Sequence, residues 1–269
     1  MLAGIAAAVA ALASLTATQA PPTAPLAPLS LWRLDCGRIV TPDARPLPWT
    51  KHDLPVPCYL VRHGDRYLLW DAGTSARALK DAHPTIKLDR TLAEQLAQIG
   101  VKPEAIDFVG ISHFHGDHTG QAAQFPKARL IMGAADFNAL KGPAIPEGVA
   151  PTHLAPWLSG GAPVSALIED MDVFGDGRVM VLMAPGHTPG HLALLVKLAG
   201  RPVMLSGDLW LSHAEAVGDD APAYTASHAE LAASRARFRK LLYKHDALAI
   251  IQHEHEDIDK LPPFPRPAQ

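Results

Sequence analysis

Four potential metal ligands fall within six residues of the segment Ser112-His113-Phe114-His115-Gly116-Asp117-His118-Thr119-Gly120, which directly follows an apolar run. Burying several imidazoles and a carboxylate without partners is costly, so this stretch needs cations or water around it. In an extended conformation His113 and His115 project to the same side, while a turn at Gly116 can bring Asp117 and His118 toward a second point. That arrangement suits two adjacent metal ions better than a solvated His-rich loop. The ions would serve chemistry, because a chain of 269 residues can bury roughly 75% of its unfolded surface without a metal to hold its core.

Three more ligand types stand at the ends of apolar runs. Val179–Ala184 leads into Pro185-Gly186-His187-Thr188-Pro189-Gly190-His191, Val203–Ser206 leads to Gly207-Asp208, and Ile250-Ile251-Gln252 leads to His253. Taken singly, His187 and His253 read as surface or internally satisfied histidines and Asp208 as a turn former. Together the strand-end placements point to one centre, since a rigid sheet holds ligands to the tolerance that coordination demands. His253 follows its apolar run at once, whereas His255 lies between Glu254 and Glu256 and reads as solvated.

The elements that must position these residues follow from hydrophobic periodicity. Strands are expected at Leu31–Leu34, Cys58–Arg62, Arg66–Trp70, Phe108–Ser112, Arg129–Met132, Val179–Ala184, Leu192–Leu198, Val203–Ser206 and Leu248–Gln252, with a tight hairpin at Gly64-Asp65. Helices are expected over Thr91–Ile99 and Ser227–Lys244. Thr41–Pro57 and Lys141–Pro163 are rich in Pro and Gly, lack periodicity, and read as long loops. The chain is therefore α/β. With no internal repeat and no clear linker it is expected to form one domain over residues 58–269, preceded by a Pro-rich extension and first strand over 21–57.

Residues 1–20 carry no charged side chain, and Leu2–Leu15 is a continuous Ala-rich apolar stretch ending near Thr18-Gln19-Ala20. This reads as a secretory signal, which predicts a periplasmic or secreted protein; the stretch is too short and too Ala-rich to favour a permanent membrane span. The 24 Lys+Arg against 27 Asp+Glu leave a net charge of −3 and no basic stripe, which excludes a nucleic-acid partner. An apolar content of 48% excludes intrinsic disorder. The two cysteines, Cys36 and Cys58, could pair, but spacing alone does not bring their sulfurs together, and Cys58 also reads as a small buried hydrophobe. Trp49, Trp70, Trp157 and Trp210 could line an apolar pocket, although core packing is the plainer expectation for most of them.

Over Cys58–His253 the chain resembles the metallo-β-lactamase superfamily. The resemblance is carried by the His-x-His-x-Asp-His motif at residues 113–118, and within the superfamily it is most similar to N-acyl-homoserine lactonases, which share Asp71-Ala72-Gly73, the Gly-His-Thr-Pro-Gly-His segment and Ser-Gly-Asp. The resemblance implies an αββα sandwich of two mixed sheets covered by helices. It also implies that His113, His115 and His187 hold one metal, that Asp117, His118 and His253 hold the other, that Asp208 bridges them, and that Asp71 and His191 support the ligands. The N- and O-donor set suits two zinc ions first and also accepts Mn, Fe or Co. Paired metals roughly 3.5–4 Å apart can lower the pKa of a bridging water toward about 7. The expected reaction is attack of that hydroxide on a lactone carbonyl, with Asp117 aiding proton transfer to the departing alkoxide. One position departs from the lactonase pattern: family members commonly carry Tyr three residues after the bridging Asp, and here Leu211 stands there, leaving Tyr224 as a substitute contact. The rival enzymatic readings are a glyoxalase-II-like thioesterase, disfavoured by the 16 residues after His253, and a dinuclear β-lactamase, disfavoured by Asp208. A metal-binding protein without turnover is the non-enzymatic alternative.

Overall fold

The computed structural model describes residues 26–40, 53–80, 84–146, 148–218, 220–221 and 225–269. The segments 1–20, Trp49 and Tyr224, and with them the expected signal sequence and substitute contact, lie outside the described residues.

The chain begins with two long antiparallel strands, β1 (Leu29–Val40) and β2 (Asp53–His63), in register from Leu29↔His63 to Val40↔Asp53 with a bulge between Asp35 and Arg38. The hairpin at Gly64-Asp65, where Gly64 takes a φ of 61°, returns the chain as β3 (Arg66–Trp70). A short β4 (Ile86–Lys87) pairs with the end of β1. Helix α1 (Leu92–Gln98) starts at a capping box between Thr91 and Glu94 and buries Leu92 and Leu96. Next come β5 (Phe108–Gly110), the single turn α2 (Gly116–Thr119), β6 (Arg129–Gly133), α3 (Ala134–Ala139), α4 (Ala155–Leu158) and β7 (Val164–Leu167). The first sheet has the order β4-β1-β2-β3-β5-β6-β7, with β3, β5, β6 and β7 parallel. The second is built from β8 (Met171–Asp172), β9 (Val179–Met183), β10 (Leu192–Val196) and β11 (Val203–Leu205); after α5 (His213–Gly218) and the long α6 (His228–His245), β12 (Leu248–Ile250) completes it, followed by α7 (His255–Ile258). Its order is β12-β11-β10-β9-β8, and β11–β12 is its parallel pair.

Alternation along β2 builds the layers. Cys58 and Leu60 face α1 and Trp157, whereas Tyr59 and Val61 face Val181 and Leu194 of the second sheet. On the far side of that sheet Leu182, Ala193 and Met204 pack against Leu231 and Phe238 of α6. Strands buried on both faces read as unbroken apolar runs, which is why β2, β10 and β11 were legible. The result is a helix–sheet–sheet–helix sandwich, as the resemblance implies. The last residues return to the first sheet through a bridge between Leu31 and Ala268. No helix among the described residues is long and apolar enough to cross a membrane.

Several expectations are corrected. Residues 53–57 of the expected loop Thr41–Pro57 begin β2, because Pro55 and Pro57 sit in a strand whose neighbours still pair, so β2 crosses the boundary placed at 57/58. The expected loop Lys141–Pro163 contains a 3-10 turn at Pro151–Leu154 and then α4, opened by prolines at positions where an N–H is not needed. Cys36 and Cys58 form a disulfide with Cα atoms 5.7 Å apart; pairing of Leu34 with Cys58 in neighbouring strands brings the two cysteines diagonally together. The plainer expectation holds for Trp70, Trp157 and Trp210, which are core residues, with Trp210 packed edge-to-face on Phe238. At one end of the sandwich His63, Asp176 and Arg178 tie the β2–β3 hairpin to the β8–β9 turn, with His63 Nε2 and Arg178 Nε each 2.7 Å from Asp176 Oδ2.

Candidate metal centre

The site forms where strands end. β3 and β5 run parallel with Trp70 opposite Gly110, so the residues just beyond them, Asp71 and Ser112–His113, emerge side by side. Asp71 adopts a left-handed φ of 58°, unusual for a residue with a Cβ. The turn aims its carboxylate into the protein, where Oδ1 accepts the Ser112 N–H at 2.7 Å and Oδ2 accepts the Ser112 hydroxyl at 3.0 Å. The same Oδ2 lies 2.9 Å from His118 Nδ1 and 3.3 Å from Gln252 Nε2. His118 is thereby held with Nε2 pointing the other way.

Two donor groups converge on the far side. His113 Nε2 lies 2.8 Å and His187 Nε2 3.2 Å from His115 Nδ1. Asp208 Oδ2 faces this trio, 3.7 Å from His113 Nε2 and 3.6 Å from His187 Nε2. In the second group Asp117 Oδ2 stands 3.5 Å from His118 Nε2 and 3.7 Å from His253 Nε2. Asp208 Oδ1 faces that pair at 3.4 and 3.2 Å. The two oxygens of one carboxylate therefore address two different histidine sets. The structure brings all seven of the expected ligands together, from positions 113 to 253.

The chemistry of these donors fits divalent metal ions. His118 Nε2 and Asp208 Oδ1 are buried without a hydrogen-bond partner, which is costly unless something else satisfies them. His113 Nε2 and His187 Nε2 both crowd the single His115 Nδ1, and all three ring nitrogens can donate lone pairs to a cation. Burial keeps His113, His115 and His187 below the usual imidazole range, His187 at about 3, so they present neutral nitrogens. Burial also pushes His118 and His253 down, but the neighbouring carboxylates, Asp208 foremost, outweigh it and hold both above that range. For Asp208 the cost of burial is outweighed by His253, His118 and His113, which keep its carboxyl well below the usual value. A cation at either group would replace these charges, displacing protons from the second.

Positioning is supplied by residues around the donors. His253 Nδ1 donates to the Pro55 carbonyl at 2.8 Å, which leaves Nε2 for the centre. His191 Nδ1 donates to the Ala184 carbonyl at 3.0 Å, so its Nε2 is free to accept the Asp208 N–H at 2.9 Å. Only a glycine allows that approach: a Cβ at Gly207, whose φ is 53°, would stand 2.6 Å from His191 Nε2. His255 is exposed, as its acidic neighbours suggested, and lies outside both donor groups, while Glu254 beside it is buried and accepts the His213 N–H at 2.9 Å. Leu211 is buried, its N–H bound to Glu215 Oε2 at 3.0 Å, and offers no hydroxyl. Sequence reasoning missed Ser112 as a partner of Asp71, Gln252, and Asp136, whose carboxylate accepts from Thr188 and Gly190 beside His187. None of these lies in a pattern of metal-binding residue types. A cavity of about 260 Å³ shares Pro55 with the site but has none of the seven donors in its lining.

Comparison with known proteins places the chain among enzymes of one fold. Residues 53–253 match the metallo-beta-lactamase superfamily. An N-acyl homoserine lactonase, AttM, of Rhizobium radiobacter is 26% identical over 245 residues, which cover 79% of this chain and 88% of the relative. The crystal structure of a quorum-quenching N-acyl homoserine lactone lactonase superposes with a TM-score of 0.75 at 21% identity, covering 90% of this chain and 99% of that one. AidC, described as a dizinc quorum-quenching lactonase in complex with a product, superposes with a TM-score of 0.63 at 20% identity over 86% and 89% of the two chains. At these identities the structural likenesses establish the fold.

Proposed function

The chain belongs to the metallo-β-lactamase superfamily, and from that premise we propose that it is a dinuclear metal-dependent hydrolase that opens the ester ring of a lactone, with N-acyl-homoserine lactones as its substrates. One observation carries the reading: Asp208 turns one oxygen to His113 and His187 and the other to His118 and His253. A single carboxylate between two nitrogen sets is the donor arrangement for a pair of ions, zinc being the first choice for N and O ligands without thiolate.

His113, His115 and His187 with Asp208 Oδ2 would hold one cation, and Asp117, His118 and His253 with Asp208 Oδ1 the other. When bound, such a pair supplies Lewis acidity to the substrate carbonyl and a water acidified toward about pKa 7. The protein's own groups do the rest. Asp71 and Ser112 fix the direction of His118, the Pro55 carbonyl that of His253, and His191 the backbone of Asp208, so the donors need little rearrangement during turnover. The Asp117 side chain is 20% exposed, against 6% for Asp208, so it can exchange a proton with the departing alkoxide at the mouth of the site. Leu211, at the position where the lactonases carry Tyr, is buried and supplies no hydroxyl to a substrate carbonyl.

The relatives support a lactone over a thioester or a β-lactam. Parallel assays of metal-loaded protein with an acyl-homoserine lactone, a glutathione thioester and a β-lactam test this. We expect the lactone to be hydrolysed with the highest kcat/KM; preference for either other substrate overturns the assignment. Metal uptake with no hydrolysis of the panel would instead favour a binding protein. The Cys36–Cys58 disulfide and the Ala-rich residues 1–20 support export to the periplasm or beyond, since disulfides persist in oxidising compartments.

A further inference from the structure

Asp136 belongs to no metal-binding motif, yet it is fully buried in α3 and its carboxylate gathers donors from both loops that carry the first histidine trio. Oδ2 accepts the Thr188 hydroxyl at 2.6 Å and Oδ1 accepts the Gly190 N–H at 2.6 Å, while the Phe114 N–H also donates to it. Phe114 separates His113 from His115. Thr188 follows His187, and Gly190 precedes His191, the acceptor of the Asp208 N–H. One carboxylate thus holds the backbone between His113 and His115 and the Thr188 side chain next to His187.

The packing around it leaves little slack. A Cβ at Gly190 would stand 2.6 Å from Asp136 N, and a Cβ at Gly133 would run into the Gly190 carbonyl. A buried carboxylate is an expensive way to fill such a space, because it loses hydration that three donors only partly replace. Burial pushes its carboxyl up to about 6, against the pull of those hydrogen bonds. Ordinary core packing would use an apolar side chain here.

We propose that Asp136 is a positioning residue for the His113, His115 and His187 donors, its carboxylate setting the distance between their two loops so that the nitrogens converge before an ion arrives. The inference rests on the two-cation reading of the site. It assigns Asp136 no contact with substrate. Its effect is expected on the affinity for one of the two ions, with the Asp117, His118 and His253 group left intact.

The test is competition between the apoprotein and a fluorescent zinc chelator, with thermal melts of each apo and zinc-loaded form, for wild type, D136A, D136N, T188V and D172A. D136A should bind one of its two zinc ions about 10–100-fold more weakly. D136N should recover most of that loss, because an amide oxygen still accepts from backbone N–H groups and the Thr188 hydroxyl can turn to accept from the new NH₂. T188V, which removes one of the donors, should weaken the same ion by roughly 2–10-fold. D172A is the control: Asp172 also caps backbone N–H groups, those of Phe174, Gly175 and Gly177, in a turn remote from the site, and its loss should leave zinc affinity unchanged. A folded D136A with wild-type affinity for both ions overturns the proposal, as does a weakening shared equally by D172A. If D136A does not fold, unchanged affinity in T188V overturns it instead. Wild-type protein that takes up no zinc would refute the two-cation reading itself, whereas wild-type uptake of two ions matched by D136A would refute only the role of Asp136.

Discussion

Replacing both cysteines by alanine, C36A with C58A, should cost the protein a definite amount of stability. The disulfide closes a loop with a sequence separation of 22 residues. The chain-entropy relation gives about 3.4 kcal/mol for a closed loop near that length at 25 °C. For a domain of this size roughly 2–4 °C of melting temperature is lost per kcal/mol, so the double variant should melt about 7–14 °C below wild type. The effect should reach the site as well. The Cys36 carbonyl accepts the Thr74 N–H at 3.0 Å and its hydroxyl at 2.9 Å, and the neighbouring Gly73 carbonyl accepts the Gly120 N–H at 2.7 Å, two residues from His118. Calorimetry of wild type and double variant, each with and without zinc, measures the stability loss, and thiol titration in denaturant without reductant counts the sulfurs directly. Two reactive thiols in the wild-type protein, or a melting difference below about 2 °C, would refute the reasoning.

Other outcomes follow from the site and its surroundings. H115A and D208A should each abolish lactone hydrolysis and reduce bound zinc below two ions per chain, read by activity and elemental analysis; full activity in either variant would break the assignment. D71N should weaken metal affinity or activity by about 10–100-fold, because His118 loses the carboxylate that sets its tautomer. Removal of metal by a chelator should lower the melting temperature, by the equivalent of about 2.7 kcal/mol where zinc had been present at a hundred times its dissociation constant, and added zinc should restore both stability and activity. At the other end of the sandwich, hydrogen bonds from His63 and Arg178 outweigh the cost of burial and hold the Asp176 carboxyl at about 2. Because its folded pKa is depressed, its contribution is fully present above the ordinary carboxylate value near 3.9 and is lost as pH falls toward about 2. The melting deficit of D176N should therefore be constant from neutral pH down to about 4 and should close below that.

The motif at 113–118 could be read directly because its ligand types are contiguous, and His187, Asp208 and His253 because each stands just beyond an apolar run that forms a strand. What escaped reading has physical causes. Strands β7 and β8 lie at sheet edges, are half-buried, and are short enough that no alternation develops. The first residues of β2 were hidden by Pro55 and Pro57, which break the usual strand signature while leaving the pairing with β1 intact. The disulfide depends on the register of β1 against β2, which spacing along the chain does not encode. Asp136 and Glu254 look like surface acids in the sequence; their burial arises from loops meeting in space, far from one another in the chain.

The parallel pairing of β11 with β12 sets Leu205 opposite Ile250, and Asp208 and His253 each stand three residues beyond that pair. The spacing between these two ligands is therefore inherited from a ladder of main-chain bonds, with the intervening crossover acting only as a tether. A single added residue between Ile250 and His253 would lengthen the turn that carries the imidazole and move it out of line with Asp208. The same insertion in the exposed part of α6 would be absorbed as a surface irregularity. Tolerance to insertions should thus drop abruptly at the carboxyl ends of these two strands, giving a map of the centre that an insertion scan could draw without any knowledge of its metals.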